Sequence, residues 1–138
     1  MKTFEEFLAE RALSTKPLEL KVGMELGGGL YLGEFKGSHY IIEKEYSTSA
    51  WKYEGALEYC KRMEVDGYKN WFLPSIEELE FAYEQDKKHT EELAFFNDYF
   101  WSSSLDKDQV PMCGHFRSGT FLTKANPKLC YVRAFKRL

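Results

Sequence analysis

Three cysteines, three histidines and a run of glycines are the residues of this 138-residue chain whose types could carry chemistry. His39, His89 and His115 are scattered, with no His-x-x-x-His pair and no carboxylate at ligand spacing, so a metal centre is not expected. Cys60, Cys113 and Cys130 also lack metal-site spacing, and they are too few for a secreted disulfide scaffold. Reduced thiols in a cytosolic protein are the expectation. Gly27-Gly28-Gly29 could cradle a phosphate, but a P-loop needs Lys and then Ser or Thr after its last glycine. Here Gly33 is followed by Glu34-Phe35, which leaves a close-packed turn. Ser102, His115 and Asp106 have the residue types of a hydrolytic triad, yet no nucleophile-elbow glycines surround that serine. No catalytic, cofactor or metal residue is assigned, and the chain is read as a non-enzyme.

The elements that would position any site follow from pattern. Thr3-Phe4-Glu5-Glu6 is a capping box, and Phe4, Phe7, Leu8 and Ala12 recur at helical spacing, so residues 4–13 are expected to be helical. Pro17 ends that helix. Leu30-Tyr31-Leu32 and Tyr40-Ile41-Ile42, with Lys36-Gly37-Ser38 between them, predict two strands and a tight turn. Tyr53, Ala56, Leu57 and Cys60 mark a second amphipathic helix over residues 50–64. Ser75 to Glu78 repeats the capping box directly after Pro74, with Ile76, Leu79 and Tyr83 as the inner stripe of a third helix. Residues 86–92 read as a solvated connection or a fraying helix end. Beyond Phe95, residues 100–103, 112–116, 120–123 and 129–135 read as short strands, punctuated by turns at Arg117-Ser118-Gly119 and Ala125-Asn126-Pro127. Helix, hairpin, two helices and then strands make an α+β order, unlike the alternation that builds a parallel sheet.

Composition bounds the function classes. Aromatic residues reach 17%, which suits a strand-rich or irregular core. The formal net charge of −3 argues against generic attraction to nucleic acid or an anionic membrane. No apolar run is long enough to span a bilayer, and Met1-Lys2-Thr3-Phe4 runs straight into Glu5-Glu6, unlike an export signal. A cytoplasmic location is expected, with association to a virion compatible with the same features. Charge is also segregated: residues 54–98 hold twelve acids against five bases, and residues 109–138 hold six Lys or Arg and no acid. Mutual attraction between the two regions explains this, as does an anionic partner surface on the C-terminal sheet.

Gly67-Tyr68-Lys69-Asn70-Trp71-Phe72-Leu73-Pro74-Ser75, followed by Glu78-Leu79, resembles a bacterial and phage family of C-type-lectin-like domains. That family of uncharacterised function includes the C-terminal domain of a collagen-like adhesin. Tyr99 to Ser104 is similar to its Tyr-Trp-Ser-Ser element, Tyr131 to Arg137 to its closing strand, and Gly28-Gly29-Leu30-Tyr31 to its opening strand. The resemblance implies a C-type-lectin-like fold over residues 27–138, two helices packed on a small twisted antiparallel sheet. Residues 1–26 would then be an additional N-terminal helix and linker. The residues fit that frame physically. Pro74 starts a helix that Ser75 caps, with Glu78 reaching back to the cap. Trp71 and Trp101 are core plates, each needing an acceptor for its indole N–H. Arg133 pairs with Glu77, Glu78 or a carbonyl as a structural group, because Arg cannot give up its proton near neutrality.

Phe72 stands where the family usually has Arg, and Gln109-Val110-Pro111 and Phe96-Asn97-Asp98 have the wrong order for lectin calcium loops. Calcium-dependent sugar binding is not expected. The family disulfide positions correspond roughly to Cys60 and Cys130, so those thiols are expected to be neighbours, reduced and buried. The favoured function is a non-catalytic recognition module that binds a protein partner through its C-terminal sheet and loops. The side chains nominated for it are Asp106, Lys107, Asp108, Gln109, Met112, His115, Arg117, Lys124 and Asn126. Two alternatives stand beside it. One is an intracellular inhibitor or regulator of a host enzyme, such as a small phage protein, with the N-terminal helix serving as an oligomer or partner contact. The other is a thiol oxidase resembling formylglycine-generating enzymes, with Cys113 and Cys130 as its late cysteine pair.

Overall fold

The computed structural model describes residues 3–6, 19–95, 98–123 and 129–138. In chain order, the elements are β1 (Glu25–Leu26), β2 (Gly29–Phe35), β3 (Ser38–Ile42), α1 (Tyr53–Arg62), α2 (Ile76–Lys88), α3 (Thr90–Leu93), β4 (Tyr99–Leu105), β5 (Pro111–His115), β6 (Thr120–Thr123) and β7 (Phe135–Arg137). They form an α+β arrangement with two antiparallel sheets, ordered β1-β2-β3-β7 and β4-β5-β6. No helix among the described residues is long and apolar enough to cross a membrane.

Local chemistry explains the element ends. The β2–β3 hairpin closes on Phe35↔Ser38 with Lys36 at φ 51° and Gly37 at φ 82°, the paired positive dihedrals of a two-residue turn that matches strand twist. Gly27 and Gly28 make the same kind of turn between β1 and β2. At α2, the Ser75 hydroxyl accepts from the Glu78 amide at 3.2 Å, and the Ser75 amide donates to Glu78 Oε1 at 2.8 Å. Both halves of the expected capping box are present. Thr3 and Glu6 exchange the corresponding bonds, with Phe4 to Glu6 helical. The rest of the expected N-terminal helix and Pro17 lie outside the described residues.

Strand alternation divides the interior in two. Tyr31, Ile41, Trp101, Val132 and Ala134 join one buried cluster, with Ala56 and Cys60 of α1. Their chain neighbours Leu32, Ile42, Phe100 and Phe135 join another, with Leu79 and Ala82 of α2. Successive side chains on extended backbone face opposite ways, so a strand covered on both faces reads as a continuous apolar run. Trp71 and Trp101 are both 4% exposed, and their indole N–H groups donate to the carbonyls of Tyr68 at 3.0 Å and Trp51 at 2.6 Å.

Residues 130–137 run as a seam through the middle. Cys130 exchanges main-chain bonds with Trp51, Tyr131 bonds β4, Ala134 bonds Glu43, and Phe135 exchanges two bonds with Phe72. Here the expected strand over 129–135 is corrected. Regular pairing begins only at Phe135, because Cys130, Val132 and Ala134 bond the irregular 43–51 segment at Trp51, Ser47 and Glu43, while Tyr131 between them bonds β4. Other expectations also change. Leu57 sits on the exposed side of α1 at 38%. Residues 86–92 are not simply a solvated link: Asp86 is buried, its carboxylate accepts the Phe95 amide at 3.3 Å, and its carbonyl accepts the Thr90 hydroxyl. The boundary expected between residues 26 and 27 falls inside the β1–β2 turn, and sheet bonds already begin at Gly23, whose amide donates to Tyr31.

Candidate recognition surface

The loop joining β4 to β5 has a fixed shape. Asp106 Oδ1 accepts from the amides of Asp108 at 2.8 Å and Val110 at 2.9 Å. The Asp106 amide donates to the Val110 carbonyl, and the Gln109 amide donates to the Asp106 carbonyl. Aspartate organises such turns because its short acceptor reaches its own backbone. Gln109 adopts φ 64°, a left-handed conformation that this bonding pattern holds. Lys107, Asp108 and Gln109 are exposed, and Leu105 beside them is 42% exposed. Below the loop, the Ser102 hydroxyl donates to the Met112 carbonyl and accepts the Ser104 amide, while Ser104 Oγ accepts the Ile76 amide at the start of α2. The loop is therefore anchored to a helix through two buried or half-buried serines.

The other nominated residues do not share this face. Met112 is half-buried near the loop end of β5, opposite Thr123. His115 and Arg117 lie at the far end of β5, about 13 Å away at the rise of a strand. There His115 stacks on Tyr99 with ring centroids 4.3 Å apart, and its Nδ1 lies 3.0 Å from the Ser118 hydroxyl. Arg117 is exposed in the turn that leads to β6. Lys124 and Asn126 lie outside the described residues. The nominated set thus separates into a loop cluster, Asp106 to Gln109, and a distant pair.

The basic C-terminal region is also redistributed. Arg133 is 1% exposed, and its guanidinium donates to four carbonyls: Glu43 at 2.9 Å, Lys44 at 3.0 Å, Ala94 at 3.2 Å, and Leu93. It also lies over the Phe95 ring at 4.5 Å. Of the partners open to Arg133 from sequence, the carbonyls hold it. Glu78 pairs with Arg137 at 2.8 Å, and Glu77 pairs with Lys36. Lys136 donates to the Lys69 carbonyl. Attraction to the acidic region accounts for Arg137 alone, on Glu78; Arg133 and Lys136 are held by carbonyls, and only Arg117 among the described cations of that region is left on the second sheet's surface.

Concave regions lie elsewhere among the described residues, two of them against α1. An open groove of about 1020 Å³ runs between α1 and the 69–75 segment, past Leu57, Met63, Phe72 and Arg137. A second pocket, about 490 Å³, lies between α1 and residues 43–51. Its buried acid, Glu43, accepts the Ala134 amide at 2.6 Å and the Tyr59 hydroxyl at 2.7 Å. Burial pushes the Glu43 carboxyl up to about 7, against the pull of those two donors and of the Arg133 charge. Burial likewise pushes Arg133 down to about 10, with Glu43 and Asp86 opposing. The Cys60 thiol is raised well above its ordinary range by burial and then by Glu43. All three cysteines are buried in one core cluster. Neither Glu43 nor Tyr59 has a periodicity or motif that flags it in sequence; only the Ser47-Thr48-Ser49 run beside an unassigned Trp51 marks the pocket. Among the described residues, no group of three or more His, Cys, Asp or Glu could hold a metal ion.

Comparison with protein-family models finds no match to this chain, and comparison with curated proteins finds none either.

Proposed function

We propose that this chain is a non-catalytic recognition module of C-type-lectin-like architecture, bacterial or phage-encoded, that binds a protein partner through the β4–β5 loop. The observation that carries the reading is the Asp106-centred bonding of that loop, which holds one backbone shape beneath the exposed side chains of Leu105, Lys107, Asp108 and Gln109. A loop already ordered loses little entropy on binding, and an apolar side chain ringed by polar ones is the usual make-up of a contact patch. The opening hairpin, two helices, second sheet and returning terminal strand support the architectural part, alongside the motifs at residues 67–79, 99–104 and 131–137.

The test is site-specific photo-crosslinking in the producing cell or infected host. A photoreactive residue in place of Asp108 should give a discrete protein adduct, and one in place of Lys88, exposed on α2, should not. Adducts of equal yield from both positions, or none from Asp108, would remove the loop as the contact.

A further inference from the structure

The pocket between α1 and residues 43–51 plays no part in the loop reading, and its walls are chemically specific. One wall is aromatic. Trp51 is 37% exposed although its main chain is fixed on both sides by Cys130, and the Tyr59 ring meets it at 5.7 Å and 53°. The two rings make an open corner, with Met63 beside them. The lining also carries two carboxylates, Glu43 next to the Tyr59 hydroxyl and Glu45, and one ammonium, Lys44, which is drawn off to Glu25 at 3.2 Å. The Tyr59 hydroxyl donates to Glu43 Oε2, which adds electron density to the ring that faces the pocket.

We propose that this pocket binds an organic ammonium group, such as an alkylated amine. A cation over an aromatic face is attracted by the ring quadrupole, most strongly by Trp, and desolvation increases the effect. A neighbouring carboxylate adds Coulomb attraction that bulk water would otherwise screen. The volume of about 490 Å³ is in the range of small-ligand sites, so an ammonium head with a short tail fits.

Binding should be linked to protons through Glu43. The groups facing it are Tyr59 and Cys60 from α1, Arg133 and the Ala134 amide from the seam, and Lys44 and Glu45 on its own segment. Burial brings the Glu43 carboxyl up to about 7, and its ionised form is the one a cation prefers.

The experiment is calorimetric titration of the full chain with choline and with 3,3-dimethylbutanol, its uncharged isostere. Choline should bind at least about tenfold tighter than the alcohol, and Trp51→Leu should weaken choline about tenfold with the melting temperature unchanged. Choline affinity should rise between about pH 6 and about pH 8 in the natural sequence and stay level in Glu43→Gln. Capped trimethyl-lysine, titrated in parallel, separates the sources: tighter binding than choline assigns the ammonium to a partner's side chain, and weaker binding assigns it to a free small molecule. Equal affinity for choline and the alcohol, no saturable binding of either ammonium probe, or a Trp51→Leu protein that binds choline unchanged would overturn the proposal. Trp51→Leu keeps the arm readable if Glu43→Gln fails to fold, since Trp51 contributes its main chain to the fold.

Discussion

The seam at residues 130–137 and the loop at residues 105–110 share three features as sequence: both are short and strand-adjacent, and each carries three charged residues. In the folded chain they are opposites. The seam ties its charge to the rest of the chain, with Arg133 buried on four carbonyls and Arg137, itself exposed, on Glu78. The loop uses one carboxylate, Asp106, to satisfy its own backbone and leaves Lys107, Asp108 and Gln109 to solvent. The difference teaches that a cation's role depends on which acceptors the topology leaves unmet. The ends of β3 and α3 leave carbonyls facing inward, and a guanidinium with five fixed donors is the side chain that meets several at once.

The largest break of this contrast is Arg133→Leu. It removes the donors for four carbonyls and should cost about 4 to 5 kcal/mol, or prevent folding, measured by urea titration. A cost under about 1 kcal/mol would mean that the seam does not depend on its arginine. Trp71→Ala is expected to cost about 3 to 4 kcal/mol by cavity formation, which tests packing without touching charge.

Those two variants also mark what sequence could and could not tell. Trp71, Trp101, Pro74 and the Ser75–Glu78 cap were legible because each has a local signature: size, a proline, or a three-residue spacing. The two-strand opening hairpin was legible for the same reason. The seam was not. Its partners lie about 30 to 90 residues away, and the alternation of its side chains between the two buried clusters does not tell which segments its backbone bonds. Arg133 was singled out from sequence, but its choice of carbonyls over carboxylates depends on where β3 and α3 end. Asp86 hid within a charged run, although its burial follows once the chain turns back to Phe95. At the candidate site, residues 105–128 read from sequence as one surface, whereas in the fold Asp106 to Gln109 share a loop and Met112, His115 and Arg117 are spread along β5 and the turn after it.

Acidity sharpens the comparison from the seam side. Glu43 holds Ala134, and its proton is held more tightly in the fold than in the unfolded chain, near 7 against an ordinary 4.5. The stability this confers is fully present below about pH 4.5 and is lost as pH rises through about 7, a decline of about 3 kcal/mol in the natural sequence. Denaturant titrations across that window should show the slope, and Glu43→Gln should flatten most of it. Asp86, also raised by burial, adds in the same direction. On the loop side the expected effects are smaller. Asp106→Ala should cost about 1 kcal/mol. Replacing Lys107 or Asp108 by Ala should change stability by less than about 0.5 kcal/mol.

Amide hydrogen exchange at Asp108 and Val110 tests most directly whether the loop is ordered before any partner arrives. The account predicts that both amides are protected in the natural sequence, that Asp106→Ala exposes them, and that the seam amides of Val132 and Ala134 stay protected in both. Exchange at unprotected rates in the natural sequence would contradict it.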